Sequence, residues 1–411
     1  MRVRTPETAS SAPNVEDLTL DKDTRLDSIL GWLLVAVAFA LPFYIAVEQN
    51  LFALATLVWL VGLVRRRGFR RVATPLDLGF ALYLAAELIS LPFSTNLPQS
   101  VVYLKRFLLM VMVYLVGSGI RDERWLRRVL WGFLAGMSLY SVWGLVWFVQ
   151  HPDVRLRHIQ NSMTTVGLTM IGVTLALAVA LKTRERGLRW GAAIATFLTG
   201  LALFLTNTRG SWLGFFFALL LILWYTRRRW LWAVPVVLVL GYLLVPPAQK
   251  ARVRGFFSPK WESNANRLMW WRTGVEIFKH YPIVGIGDVG TEKMYRRYQR
   301  SPDEQPVGHM HNIFLHIAVT LGVVGLSAFA AMLVIMGRFL WRTFERLRED
   351  YLSSGVALGA FAVFVAFLVN GLFEWNFGDA EVVTAFWFVV GLAVAVWRLG
   401  ARADGEELAA A

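Results

Sequence analysis

The sequence predicts an all-α, polytopic membrane protein of about twelve transmembrane helices with one large, partly helical outward loop. Three observations carry that expectation. The chain of 411 residues is 56% hydrophobic and only 17% charged, against an apolar share of about 45–50% in soluble domains. Its apolar residues fall into runs of near-spanning length, and its basic residues concentrate in alternate connections between those runs. A spanning helix takes roughly 20 apolar residues, so a dozen of them leave no room for a water-soluble domain of ordinary size.

Residues 1–27 are polar and mixed in charge, with Pro6 and Pro13, and read as a disordered cytoplasmic tail. No short apolar core with a small-residue cleavage site follows, so no removable signal peptide is expected. Apolar runs at 28–47, 48–64, 75–92, 100–120, 129–149, 165–181, 190–206, 211–226 and 230–247 predict helices 1–9 within 28–247. The runs 48–64 and 211–226 are short for a span and are expected to tilt, half-bury or re-enter. Residues 248–310 form the outward loop. Its Trp261, Trp270, Trp271 and several Tyr predict an ordered segment with a helix over about 264–280, and Pro282, Gly285, Gly287 and Gly290 a turn-rich stretch after it. Runs at 311–337, 352–371 and 381–399 predict helices 10–12 within 311–399, and 400–411 a second cytoplasmic tail. No internal repeat, heptad run or low-complexity tract interrupts this plan.

A net charge of +14, from 42 Lys and Arg against 28 Asp and Glu, would suggest nucleic acid in a soluble protein. Here 26 of the 42 basic residues lie in alternate short connections and the two tails. That is the bias that sets membrane orientation, so these segments and both termini are placed in the cytoplasm and no nucleic-acid partner is expected. The first partner is the lipid bilayer. Residues 248–310 carry 11 basic residues against 6 acidic ones on the side that the orientation rule depletes, which asks for another cause. With no Cys, the chain has no disulfide framework, thiolate metal site or cysteine nucleophile.

All six His, at 151, 158, 280, 309, 311 and 316, map to outward loops or outward ends of spans. In His309-Met310-His311-Asn312, a neutral imidazole at the wet start of a span is placed to accept a proton. The same residues also read as an interfacial helix cap, or, through His309 and His311, as a metal site for which no adjacent carboxylates converge. Gly322 follows His311 by eleven residues, close to three helical turns, which predicts the two on one face. Gly322 and Gly325 then read as a stripe on which a neighbouring helix packs. Arg209, between two apolar runs, faces outward by loop parity and offers a fork of donors to phosphate oxygens, or snorkels to headgroups. Lys105 and Arg106 lie about five residues inside a span, where charge is costly and marks a functional site or an anionic-lipid contact. Arg267 and Arg272 on the loop helix are either outward anion contacts or partners of Glu262 and Glu276. Glu374, in the turn from Phe373 to Asp379, orients a His, binds sugar hydroxyls or simply joins two helices. Glu87 reads as solitary.

The run His311-Asn312, nine residues, Gly322-x-x-Gly325 resembles the H-N-x9-GxxG motif of bacterial O-antigen ligases. Arg209-Gly-Ser-Trp-Leu213 resembles their R-x3-L motif, and the likeness of pattern runs from about residue 28 to 399. The wider superfamily includes O-antigen polymerases and protein O-oligosaccharyltransferases. The resemblance implies a GT-C-like glycosyltransferase of the bacterial inner membrane with its active site facing the periplasm. It implies transfer of a preassembled glycan from undecaprenyl diphosphate to a sugar hydroxyl of lipid A-core, with inversion and without metal, nucleotide or other cofactor. Under it, His311 is the catalytic base, His309 the alternative base, and Asn312 the residue that orients the imidazole or caps the helix. Arg209, with Arg267 or Arg272 and with Lys105 and Arg106, would neutralise the departing diphosphate. One large outward loop favours the ligase over a polymerase, and a short polar tail favours it over a protein O-oligosaccharyltransferase. A lipid-linked oligosaccharide transporter, from a different class, would spread charges through the bundle centre, where this chain has few.

Overall fold

The structure, a computed structural model, describes residues 24–65, 72–151, 161–244, 262–301 and 304–403, together with residues 155, 156, 250, 258 and 405. The expected disorder of the amino tail, most of the Arg65 to Arg71 loop, His158 and Trp261 lie outside the described residues. Every regular element among the described residues is helical, and nine stretches are long and apolar enough to cross a membrane.

The chain opens with α1 (Thr24–Ala40), α2 (Ile45–Arg65) and α3 (Asp77–Ser90). The span Leu97–Gly119 is built in three pieces, α4 (Leu97–Tyr103), a 3-10 segment Leu104–Met110 and α5 (Val111–Gly119). Then come α6 (Glu123–Gln150), α7 (Ser162–Lys182), α8 (Arg186–Leu205), α9 (Arg209–Thr226) and α10 (Ala233–Leu244). The long connection holds α11 (Glu262–His280) and α12 (Thr291–Tyr298), and the chain closes with α13 (Ile313–Arg346), α14 (Tyr351–Gly371) and α15 (Ala380–Ala403). Each of the twelve apolar runs contains a helix; 211–226 is short as expected, under the roughly 20 residues that a span takes, but 48–64 is not, and three other runs hold shorter helices. Helices of 21 and 18 residues occupy the runs 48–64 and 211–226, whereas α1, α3 and α10 have 17, 14 and 12 residues. The first discrepancy arises because the α1–α2 turn is itself apolar, Leu41-Pro42-Phe43, so hydropathy runs straight through it. Pro42, which cannot continue a helix, is the signal that marks the boundary.

Polar side chains set several helix starts. Asp122 accepts from the Trp125 amide, Asn161 from those of Met163 and Thr164, and Asp350 from those of Leu352 and Ser353, each satisfying amides that a first turn leaves open. The centre of the bundle is α7 and α15, whose spanning windows are 89% buried, with α14 at 78%. α7 reaches this burial with small residues that let its neighbours approach: Gly167 lies against Val382 of α15, Gly172 against Met137 of α6, and Ala178 against Gly359 of α14. The rim is α2, with 11% of its window buried. There Leu57 and Val64 are among the exposed large apolar side chains, a surface suited to lipid tails.

One helix is broken inside the bundle. α13 passes through Gly322 at φ 65°, ψ −162°, far from helical values. The segment after α11 fills the break: the Ile286 and Gly287 amides donate to Val319 and Thr320 oxygens at 3.1 and 2.9 Å. In return, the Val323 and Val324 amides donate to Pro282 and Ile283 oxygens at 2.8 and 3.2 Å. These bonds answer backbone groups that the break would otherwise orphan in a medium without water. The expectation of a regular helix with Gly322 beneath His311 is therefore corrected. His311 precedes α13 with φ 46°, and the neighbour at Gly322 is the 282–287 backbone, not a helix face.

Candidate active site

The break matters because the element filling it and the turn after α14 converge on the start of α13. Asn312 caps that helix, its Oδ1 accepting from the Leu315 amide at 2.9 Å while its Nδ2 donates to the Leu372 oxygen at 3.0 Å. It thereby ties α13 to the turn that carries Glu374. Immediately before it, His311 Nδ1 meets Glu374 Oε1 at 3.0 Å. The Trp375 amide donates to the same oxygen at 3.1 Å, and Oε2 is buried without a hydrogen-bond partner. Burial alone would raise the Glu374 carboxyl. The hydrogen bond and charge of His311 outweigh it and hold the group below the usual carboxylate range. An ionised carboxylate only accepts, so Nδ1 carries the proton and Nε2 is the basic nitrogen.

Rings fix the imidazole from its faces. Trp270 of α11 stacks on His311 with centroids 4.4 Å apart and planes at 22°. Trp271 donates from Nε1 to the Met310 oxygen at 3.0 Å, so adjacent tryptophans grip the segment. His309 stands 4.2 Å from His311, centroid to centroid, and 6.5 Å from His316, which in turn lies 4.1 Å from Trp375. Ligand atoms of His309, His311 and Glu374 lie within 4.8 Å of one another, a spacing that would also suit a metal ion. The remaining described histidines are elsewhere: His151 Nδ1 donates to the Trp147 oxygen and His280 Nδ1 to that of Glu276.

The expected cations separate into two groups. Arg209, the first residue of α9, donates to Ser263 Oγ at 2.6 Å and Asn264 Oδ1 at 2.8 Å at the start of α11. One turn on, Arg267 donates from Nε to the Phe373 oxygen at 3.0 Å, next to Glu374 in sequence. Burial lowers the Arg267 guanidinium and Glu374 acts against that. Arg209, Arg267, Trp270, Glu374 and His311 thus belong to one connected set. Arg106 does not. It pairs with Glu87 at 2.7 Å and with Asp288, over the ring of Tyr103. Two carboxylates face it, so Glu87 is not the solitary residue expected from sequence, and Arg106 is held apart from the Arg209–His311 set. Lys105 and Arg272 are exposed and take no part in these contacts. Glu276 pairs with Lys279 at 3.3 Å, and not with Arg267.

Sequence reasoning missed Ser263, Asn264 and Asp288, short polar residues with no spacing to distinguish them. Trp270 was legible only as one aromatic of an ordered loop. Glu374 was among the possible His-orienting residues, and contact with His311 selects that role.

The cluster makes stability pH-dependent. Burial, and then the neighbouring His311, push His309 from 6.5 down to about 4, with Glu374 pulling the other way. Between those values the unfolded chain takes a proton that the folded ring refuses, so stability rises with pH across the window and is indifferent to this group above it. Glu374 acts in the same sense, its contribution being lost as pH falls through its lowered value. The thermal unfolding midpoint should therefore fall on acidification from about pH 7 to about pH 5, and less steeply in His309→Gln. Equal slopes for the two proteins would count against a neutral buried His309.

Comparison with curated proteins gives no match. Residues 194–330 match the family model described as O-Antigen ligase. The matched stretch contains Arg209, Arg267, Trp270, His309, His311, Asn312 and the break at Gly322. Its members are glycosyltransferase-like enzymes. With nine candidate spans among the described residues, the chain is a multi-pass membrane protein, and the match over residues 194–330 supports its placement in the O-antigen ligase superfamily.

Proposed function

We propose that the protein is an O-antigen ligase of the inner membrane, transferring a preassembled glycan from undecaprenyl diphosphate to a sugar hydroxyl of lipid A-core at the periplasmic face. The observation that carries the reading is the His311–Glu374 pair at 3.0 Å, joined through Trp270 and Phe373 to Arg267 and Arg209. His311 Nε2 takes the proton of the acceptor hydroxyl as that oxygen attacks the anomeric carbon. The bond from that carbon to the diphosphate oxygen breaks, the electron pair leaves with the diphosphate, and configuration inverts. Arg209 and Arg267, with the α9 amino terminus behind Arg209, offset the charge that grows on the leaving group. Asn312 holds the His-bearing segment to the Glu374 turn. The mechanism gives no role to a metal, and complete loss of transfer in chelator would overturn that part.

Arg209→Ala should raise the KM for lipid-linked donor roughly tenfold or more, because charge-assisted contacts to phosphate are strong. Arg209→Lys should restore only part of this, since a point charge lacks the fork of donors. Unchanged donor KM in both would remove Arg209 from the diphosphate site. The reaction itself is decided by offering purified protein and undecaprenyl-diphosphate glycan three acceptors: lipid A-core, a second lipid-linked glycan and a pilin-like protein. Glycan gained only by the second or third would replace the ligase reading with polymerase or protein O-oligosaccharyltransferase.

A further inference from the structure

Beside the imidazole cluster lies a cavity of about 680 Å³. Its lining includes Gln99, Tyr103, Asp288, Thr291, His316 and Trp375, and none of Arg209, Arg267, Ser263 or Asn264. Three features define what it takes. Tyr103 and Trp375 place aromatic rings on its wall, side chains of the kind on which the C–H face of a sugar ring packs. Thr291 Oγ1 and His316 Nδ1 have no hydrogen-bond partner, although their residues are only 2% and 3% exposed. A buried polar group left open is costly, and a sugar hydroxyl, donor and acceptor at once, can answer either one. Charge on the wall balances: Arg296 pairs with Glu292 at 2.8 Å, Asp288 meets Arg106, and only Lys293 is left over at the exposed edge. That favours a neutral polar ligand over a phosphate, in contrast to the Arg209–Arg267 side.

The placement says which sugar. His309 lines the cavity and also stands against His311, so the imidazole pair links this space to the arginine side. In a displacement with inversion the nucleophile enters opposite the leaving group, so an acceptor cannot share the approach occupied by the diphosphate. We infer that the cavity is the acceptor subsite, binding a neutral sugar ring between Tyr103 and Trp375. Thr291, His316 and Gln99 read its hydroxyls, and one hydroxyl is delivered to the imidazole pair. This rests on the transfer reading above. The hydroxyl proton goes to imidazole, its oxygen forms the new glycosidic bond, and the diphosphate leaves with the electron pair of the broken one.

The test uses full-length protein in lipid nanodiscs with donor and lipid A-core varied in turn. Thr291→Val, close in shape, and Gln99→Ala, at an exposed position, should each raise acceptor KM about tenfold with donor KM unchanged. Separately, phosphate-free core oligosaccharide released from its lipid is titrated without donor, followed by tryptophan fluorescence, and Thr291→Val should weaken its binding by a similar factor. Unchanged acceptor KM in both variants overturns the inference, as does a rise confined to donor KM, which would assign the cavity to the donor glycan. Oligosaccharide binding that Thr291→Val weakens, in a protein that transfers nothing to lipid A-core, upholds the cavity and overturns the ligase reading alone.

Discussion

Replacing His311 by alanine is expected to lower glycan transfer by about 10²–10⁴-fold, the usual contribution of a general base, with insertion and donor binding intact. The expectation follows from the pairing with Glu374, which fixes the proton on Nδ1 and leaves Nε2 as the basic atom. Glu374→Gln should lose less, because an amide oxygen can still accept from Nδ1 but no longer stabilises the imidazolium formed as the hydroxyl proton arrives. His309→Ala should lose least of the three. His309 has no carboxylate of its own, its Nδ1 has no hydrogen-bond partner, and its burial makes it a weak base. Single-turnover rates with saturating donor and acceptor separate the three, and the order His311, Glu374, His309 is the result that matters. Wild-type rates in His311→Ala, or a larger loss in His309→Ala, would move the base to His309.

That ordering also shows how far the sequence could be read. The fold class followed from hydropathy, because each span must satisfy its backbone within itself and so appears as one local run. The approximate positions of His311, Arg209 and the loop helix were legible for the same reason: each is marked by a local pattern. Contacts between distant segments were not. Glu374 lies 63 residues from His311, Asp288 reaches Arg106 across the bundle, and Ser263 and Asn264 meet Arg209 from the start of another helix. No periodicity encodes such pairs. The charge of Arg106 was visible, but its pairing with Glu87 and Asp288 was not. Likewise, Gly322 reads as a packing glycine until the backbone angle is known.

Gly322→Ala is the second large effect expected, and its cause is steric. At φ 65°, ψ −162°, the backbone occupies a region that is essentially restricted to glycine, where another residue costs of order 1–3 kcal/mol. An added Cβ would also run into the Ile283 carbonyl group and the Val284 nitrogen. Relief requires the 282–287 segment to withdraw, which breaks the four backbone bonds that close the gap in α13. Within a bilayer no water replaces them. Withdrawal would also carry Asp288 away from Arg106 and Glu87, leaving a buried guanidinium with half its compensation. Gly322→Ala should therefore lower the thermal unfolding midpoint and reduce transfer together. Gly62→Ala, in the last turn of α2 where a Cβ meets nothing within 4 Å, should leave both near wild type. If Gly322→Ala matched Gly62→Ala in melting and in transfer, the broken helix would not be what holds the loop. The glycine pattern would then return to its simpler meaning as a packing stripe.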